Sequence, residues 1–249
     1  MSGQVNKNLE ESAPGPGFLE AHLTKSYGSF RLTADFKLVE PGITVISGPS
    51  GAGKTTLLNL LAGLSRPDWG YIRGPEKVYF DSNQGICAPP EKRNISYVFQ
   101  RSRLFSHFSV KNNLLFASRF GNRPLRPGSW EKVVSLLGLT ALLGRRPHTL
   151  SGGEAQRVAI GRALLAEGDL LLMDEPLSSL DRERKTELLG YIAKIPERLG
   201  VPILYVTHAE EELLALAQRV LEVFQGQCRW RETDARAENF SARAKGGDL

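Results

Sequence analysis

Two cysteines in 249 residues, Cys87 and Cys228, are too few for a disulfide framework or a zinc site, so both are read as reduced and structural. Long apolar runs are missing as well. Runs such as LLLM and ILYV have strand length, far short of the roughly 20 residues that a membrane-crossing helix needs. The N-terminal stretch MSGQVNKNLEESAPGPG carries no apolar core of the signal-peptide kind. These absences lead to the expectation of a cytosolic chain. No internal repeat is visible. Acids are scarce in one region: between Lys92 and Arg146 there are 11 Lys or Arg against one acid, Glu131, a balance of +10. The rest of the chain carries −5, from 21 basic and 26 acidic residues. A basic lobe of this kind suits an anionic neighbour (nucleic acid, lipid headgroups or acidic protein loops) or is a solvated helical surface.

What is present begins with a hydrophobic content of 41%, enough for a folded core. The length allows one large α/β domain or one domain with a small lobe. Met1–Gly17 is polar and Gly/Pro-rich, a flexible tail. Phe18–Val39 suggests two strands around a turn at Gly28–Ser29. ITVIS at Ile43–Ser47 is β-branched, as a buried parallel strand requires. KTTLLNLLAGL from Lys54 reads as a helix, followed by strand-like pieces around Tyr71–Phe80 and Ile95–Phe99. Ser109–Gly144 changes texture and fits an inserted helical lobe. Helices are expected over Gly152–Ala166, Arg182–Leu199 (disturbed at Pro196) and Ala209–Gln218. Strands are expected over Asp169–Asp174, Pro202–Thr207 and, as the last, Val220–Phe224. A polar tail closes the chain at 231–249. Alternation of this kind implies a mostly parallel sheet covered on both faces.

Four motifs carry chemistry. GPSGAGKT, Gly48–Thr55, is a phosphate-binding loop between a strand and a helix. Gly48, Gly51 and Gly53 let the backbone wrap an anion, so that its N–H groups and the helix N-terminus face phosphate. Pro49, Ser50 and Ala52 complete the loop, and Thr56 follows it. Lys54 is expected to reach the β- and γ-phosphates, and the Thr55 hydroxyl to bind Mg²⁺. LLLMDEP, ending at Pro176, closes an apolar strand on two acids. Asp174 is expected to hold Mg²⁺ and Glu175 to act as general base on water. YVTH ends a strand on His208, which in this company could hydrogen-bond the γ-phosphate. LSGGEAQR, Leu150–Arg157, is a Ser/Gly turn ahead of a helix and therefore a second anion site.

LSGGEAQRVAIGRALL resembles the signature of ATP-binding cassette (ABC) ATPases. Gln100 in YVFQ and SSLD at Ser178–Asp181 resemble that family's Q-loop and D-loop, from about Phe18 to Gln227. The resemblance implies a P-loop NTPase of ABC type: a mostly parallel sheet core, an N-terminal antiparallel β subdomain and an inserted helical subdomain, about 103–165, within an ATPase domain at 18–230. It implies ATP and Mg²⁺ as cofactors, with Gln100 in both catalysis and metal binding. It also implies Tyr27 stacking on adenine, with Phe30 the nearby alternative. Ser151, Gly152, Gly153 and Asp181 would bind nucleotide, the signature residues contacting ATP held by a second, head-to-tail copy. Two integral membrane permease subunits are the expected further partners, at the cytoplasmic face of the inner membrane. Direct solute binding and nucleic acid are not expected.

The stretch GICAPPEKRNISYVFQRSRLFSHFSVKNNLLF further resembles ATPases of bacterial molybdate importers. Those of sulfate, thiosulfate and ferric-iron importers are similar. A soluble non-transport ABC ATPase is the competing class, commonly with a second cassette, a coiled coil or zinc modules. Molybdate ATPases usually continue into a C-terminal oxyanion-sensing domain; either that domain is absent here or the chain serves another importer. Ser106 stands where the family often has proline.

Overall fold

A computed structural model gives residues 17–120 and 123–231, without the side chains of 119 and 120. The flexible tail expected at 1–17 and the polar tail at 231–249 lie outside the described residues, apart from 17 and 231.

The elements follow in the order β1 (Leu19–Tyr27), β2 (Phe30–Leu38), β3 (Ile43–Ser47), α1 (Lys54–Ala62), β4 (Trp69–Arg73), β5 (Val78–Asp81), β6 (Ile86–Cys87) and β7 (Ile95–Val98). Next come α2 (Val110–Phe120), α3 (Ser129–Leu136), α4 (Gly152–Leu164), β8 (Leu170–Asp174), α5 (Arg182–Ala193), α6 (Ile195–Leu199), β9 (Ile203–Val206), α7 (Glu210–Leu216), β10 (Arg219–Phe224) and β11 (Gln227–Trp230). All strands join one sheet in the order β6-β5-β4-β1-β2-β11-β10-β3-β9-β8-β7. The half from β10 through β3, β9 and β8 to β7 is parallel. The half from β2 through β1, β4 and β5 to β6 is antiparallel.

Two strands went unanticipated. Val220–Phe224 is not the last strand: β11 turns back antiparallel on β10 and pairs parallel with β2 at Gln227 and Thr33. It thereby joins the antiparallel arm to the parallel core. β6 has only two residues, too few for alternation to show. The helix expected over Arg182–Leu199 breaks at Lys194, where Pro196 opens α6; its ring cannot continue the ladder of α5.

Strand alternation divides the core. Leu170, Leu172, Leu204 and Val206 pack with α1 and the antiparallel arm on one face. Leu171, Met173, Ile203 and Tyr205, one residue out of phase, pack under α2 to α7 on the other. Each fully buried Leu or Ile contributes roughly 1.5–3 kcal/mol. Cys228 joins the first cluster, and burial pushes its thiol up to about 12. Cys87 is exposed, so only one of the two cysteines is a core residue.

Arg93 supports the helix behind the glycine loop. Its guanidinium is 1% exposed and donates to the carbonyls of Leu60, Leu61 and Ala88 at 2.8, 3.0 and 2.9 Å. A cation at the C-terminal end of α1 suits the helix dipole there. Several other cations of the basic stretch also have partners within the chain. Arg123 pairs with Asp169 and Glu76, Arg126 with Glu167, and Arg145 with Glu154. No helix among the described residues is long and apolar enough to cross a membrane.

Candidate active site

The carboxyl ends of β3, β9 and β8 lie side by side, the usual place for a ligand in a parallel sheet. The loop after β3 needs its glycines. Gly48, Gly51 and Gly53 have φ of 147°, 77° and 107°. A Cβ on Gly48 would stand 2.1 Å from the Val223 carbonyl, and one on Gly53 2.9 Å from Phe30 Cζ. Only glycine combines these angles with that closeness. The loop encloses a cleft of 280 Å³ lined by Phe30, Ser50, Gly51, Gly53, Lys54, Thr55, Thr56 and Glu175.

Lys54 opens α1 and is buried. Its ammonium donates to the carbonyls of Gly48 and Pro49 at 2.7 and 2.9 Å. Burial holds its pKa below the usual lysine value, against the raising influence of Glu175 and Asp174. Two neutral carbonyls are modest partners for a buried cation, so an anion in the cleft would be better matched to it.

Thr55 Oγ1 donates to Asp174 Oδ1 at 3.0 Å, and the Tyr97 hydroxyl donates to Asp174 Oδ2 at 3.3 Å. Burial raises the Asp174 pKa above the usual carboxylate range; the hydrogen bonds from Thr55 and Tyr97 oppose it, Glu175 adds to it and Lys54 opposes it. A hydroxyl and a carboxylate form a hard-oxygen set that fits Mg²⁺. Among the described residues no three His, Cys, Asp or Glu side chains are grouped to hold a metal. Beyond Thr55, Asp174 and the expected Gln100, such a cation would draw its ligands from water and phosphate oxygens.

Glu175 follows β8 with φ 45°, a left-handed conformation rare outside glycine. Its N–H still bonds the Val206 carbonyl at 3.0 Å, and its own carbonyl accepts from Ser178 N and Oγ at 3.2 and 3.0 Å. This turn aims the carboxylate into the cleft. His208 Nδ1 lies 3.1 Å from Glu175 Oε1.

The other expected residues stand apart from this group. Gln100 donates to Ser178 Oγ at 3.1 Å, beside Glu175's turn, and does not line the cleft. Tyr27 ends β1, half exposed, with the Lys25 ammonium 5.3 Å from its ring centre; Phe30, across the turn, lines the cleft instead. Ser151 N-caps α4 in a capping box with Glu154, at 3.3 and 2.7 Å, and Gly152 and Gly153 form the first turn. Asp181 N-caps α5 through Arg184 N at 3.0 Å. None of Ser151, Gly152, Gly153 or Asp181 lines the cleft. Sequence reasoning passed over Tyr97 and Asn59, whose Oδ1 lies 3.4 Å from the Tyr97 hydroxyl.

A glycine loop, two acids at the end of β8 and a histidine two residues beyond the end of β9, rather than in the strand as expected, define a nucleotide-binding cassette. Residues 33–178 match the family model described as ABC transporter, and the chain belongs to that family. Among relatives, it is 49% identical over 209 residues to the molybdenum import ATP-binding protein ModC of Rhodospirillum rubrum, covering 84% of this chain and 56% of that protein. The protein of the same name from Paramagnetospirillum magneticum is 53% identical, covering 80% and 54%. The chain thus spans little more than half the length of these relatives. Its fold is that of solved ABC cassettes. One is cbiO1 of Clostridium perfringens, part of the cbiONQ complex, with TM-score 0.74, 24% identity and 92% of each chain covered. Another is a dimeric bacterial ABC transporter cassette, with TM-score 0.69, 24% identity, and 88% and 100% covered.

Proposed function

We propose that this chain binds and hydrolyses ATP to energise a membrane importer, with molybdate or a related oxyanion as the solute. The observation that carries the catalytic part is Glu175, turned into the loop cleft by its left-handed backbone and paired with His208.

In this reading Gly48–Thr56 holds the triphosphate by its backbone N–H groups, and Lys54 exchanges the Gly48 and Pro49 carbonyls for β- and γ-phosphate oxygens. Thr55 and Asp174 would hold Mg²⁺, with Gln100, which now donates to Ser178, as the third expected ligand; the ion would supply positive charge against the phosphate oxygens. Glu175 takes the proton from the attacking water. His208 orients that carboxylate. Tyr27 or Phe30 meets the adenine. The domain is 18–230, and its helical part, about 103–165, contains α2, α3 and α4. Ser151–Gly153 and Asp181 act on nucleotide held by a second copy, head to tail.

The permease contact is assigned to the segment after Gln100, at the cytoplasmic face of the membrane. There Phe105, Phe108, Phe116 and His107 form an aromatic cluster, with ring centres 4.2–6.2 Å apart. The solute assignment rests on the relatives' names. ATPase activity of the purified chain, lost in Glu175→Gln, tests the catalytic part. Molybdate uptake in a strain lacking this chain tests the solute: normal molybdate accumulation with loss of another uptake refutes it.

A further inference from the structure

The stretch between Gln100 and α2 has no helix or strand of its own. One backbone bond within it, Phe108 N to Phe105 O at 3.1 Å, closes a turn. Two side chains from outside do most of the holding. Asn113 of α2, fully buried, accepts from Phe105 N at 2.8 Å and donates to the carbonyls of Phe105 and Ser109, both at 3.1 Å. Arg162, in the last turn of α4, donates from Nη2 to the carbonyls of Ser102 and Arg103 at 3.3 and 3.0 Å. Its guanidinium also lies 5.1 Å from the centre of the Phe105 ring.

Arg162 is an unusual choice for a purely structural bolt. Among the described residues it has no carboxylate partner, and its Nη1 is buried without a hydrogen bond. Burial lowers its pKa, so the site does not favour the charge. A cation in such a place is costly unless its particular contacts matter. Those contacts lie directly after Gln100, where Arg103 itself takes a left-handed φ of 44°. The same helix begins at Ser151, the cap of the Ser/Gly turn.

We infer that Arg162 is a positioning residue that fastens segment 101–109 to α4. The Ser/Gly turn at one end of the helix and the aromatic segment at the other then shift as one body. The inference deepens the proposed function and rests on its reading of Ser151–Gly153 as contacts to nucleotide in a second copy. A neutral side chain of similar length would fill the space but release the two carbonyls.

Hydrogen exchange measured by mass spectrometry on the Glu175→Gln chain, with and without Mg-ATP, tests this. Mg-ATP is expected to slow exchange at 48–55, at 151–155 and at 101–109. Adding Arg162→Met keeps the first two responses and abolishes the third, and exchange at 101–109 without nucleotide becomes about tenfold faster. Arg162→Lys keeps the charge and stem, folds where Met does not, and gives a reduced response at 101–109. Slowing at 101–109 in either variant equal to that of the parent, with 151–155 still responding, overturns the inference alone. No slowing at 48–55 in the parent overturns the ATP reading and this inference with it.

Discussion

His208 presents Nδ1 to Glu175 Oε1 at 3.1 Å, and this contact fixes a proton. An ionised carboxylate only accepts, so Nδ1 carries the hydrogen and a neutral ring has Nε2 bare. Donation from His208 to a phosphate would therefore need the imidazolium form. The pairing also occupies Oε1 and leaves Oε2 to take a proton from water.

Glu175→Gln isolates basicity from shape, because the amide oxygen can still accept from Nδ1. ATP should bind to this variant about as before, while turnover falls roughly 10²–10⁴-fold. Lys54→Ala should differ, weakening nucleotide binding itself by removing the buried cation of the cleft. Steady-state ATPase rates and nucleotide titrations on both proteins separate these effects. Ordinary turnover in Glu175→Gln would remove Glu175 from the role of base.

Asp174 supplies a pH test. Its folded-state pKa is raised, chiefly by burial, so in the nucleotide-free chain the ionised carboxylate opposes folding. For a raised carboxylate the stabilising contribution of the protonated form is present at low pH. It is lost as pH rises through the folded-state pKa. Asp174→Asn should therefore raise the melting temperature of the nucleotide-free chain at pH 8, with a gain that shrinks as pH falls into the ordinary carboxylate range. Mg-ATP should stabilise the parent more than this variant. A variant that melts lower than the parent at pH 8 would show that the hydrogen bonds from Thr55 and Tyr97 outweigh burial.

The signature turn leads to a test of assembly. The capping box uses Ser151 Oγ as an acceptor, which leaves its hydroxyl hydrogen as a donor beside the first-turn N–H groups of α4. None of these lines the cleft of the same chain. Two-fold pairing of two copies would bring each turn to the other's cleft at once. Glu175→Gln protein should dimerise in Mg-ATP and separate without it, as read by light scattering. A charge at Ser151, as in Ser151→Glu, should keep it monomeric at saturating ATP.

The parts legible in the sequence were those with a local backbone demand. The Gly48–Thr55 loop and the apolar strand ending at Asp174 advertise themselves, because few residue types fit each position. The unread parts depend on distant partners. Tyr97 and Asp174 are 77 residues apart, and no spacing rule joins them. Arg93 reads as one more surface cation of the basic stretch until α1 is laid over it. The hairpin of β10 and β11 turns on Gln225 and Gly226, both at positive φ, 46° and 75°. Asn or Asp before the glycine is the usual mark of such a turn; glutamine hid it.

The adenine contact remains divided between two aromatic residues, and the structure sharpens the test. Tyr27 and Phe30 are paired across the turn between β1 and β2. Tyr27 is 48% exposed and lies outside the cleft lining, with a lysine ammonium 5.3 Å from its ring centre. Phe30 lines the cleft and packs where a Cβ on Gly53 would be. A base stacking on the exposed face of Tyr27 would gain roughly 1–3 kcal/mol, the scale seen for aromatic–base stacking in single-stranded complexes. Tyr27→Ala should then weaken ATP affinity by about tenfold, which corresponds to about 1.4 kcal/mol, with little change in turnover at saturation. Phe30→Ala acts differently, because it opens space against Gly53 and so loosens the loop that holds the phosphates. It should weaken ATP and inorganic triphosphate alike, whereas Tyr27→Ala should leave triphosphate untouched. Equal affinity for ATP in Tyr27→Ala and the parent, with a loss in Phe30→Ala for ATP but not for triphosphate, would move the adenine contact to Phe30.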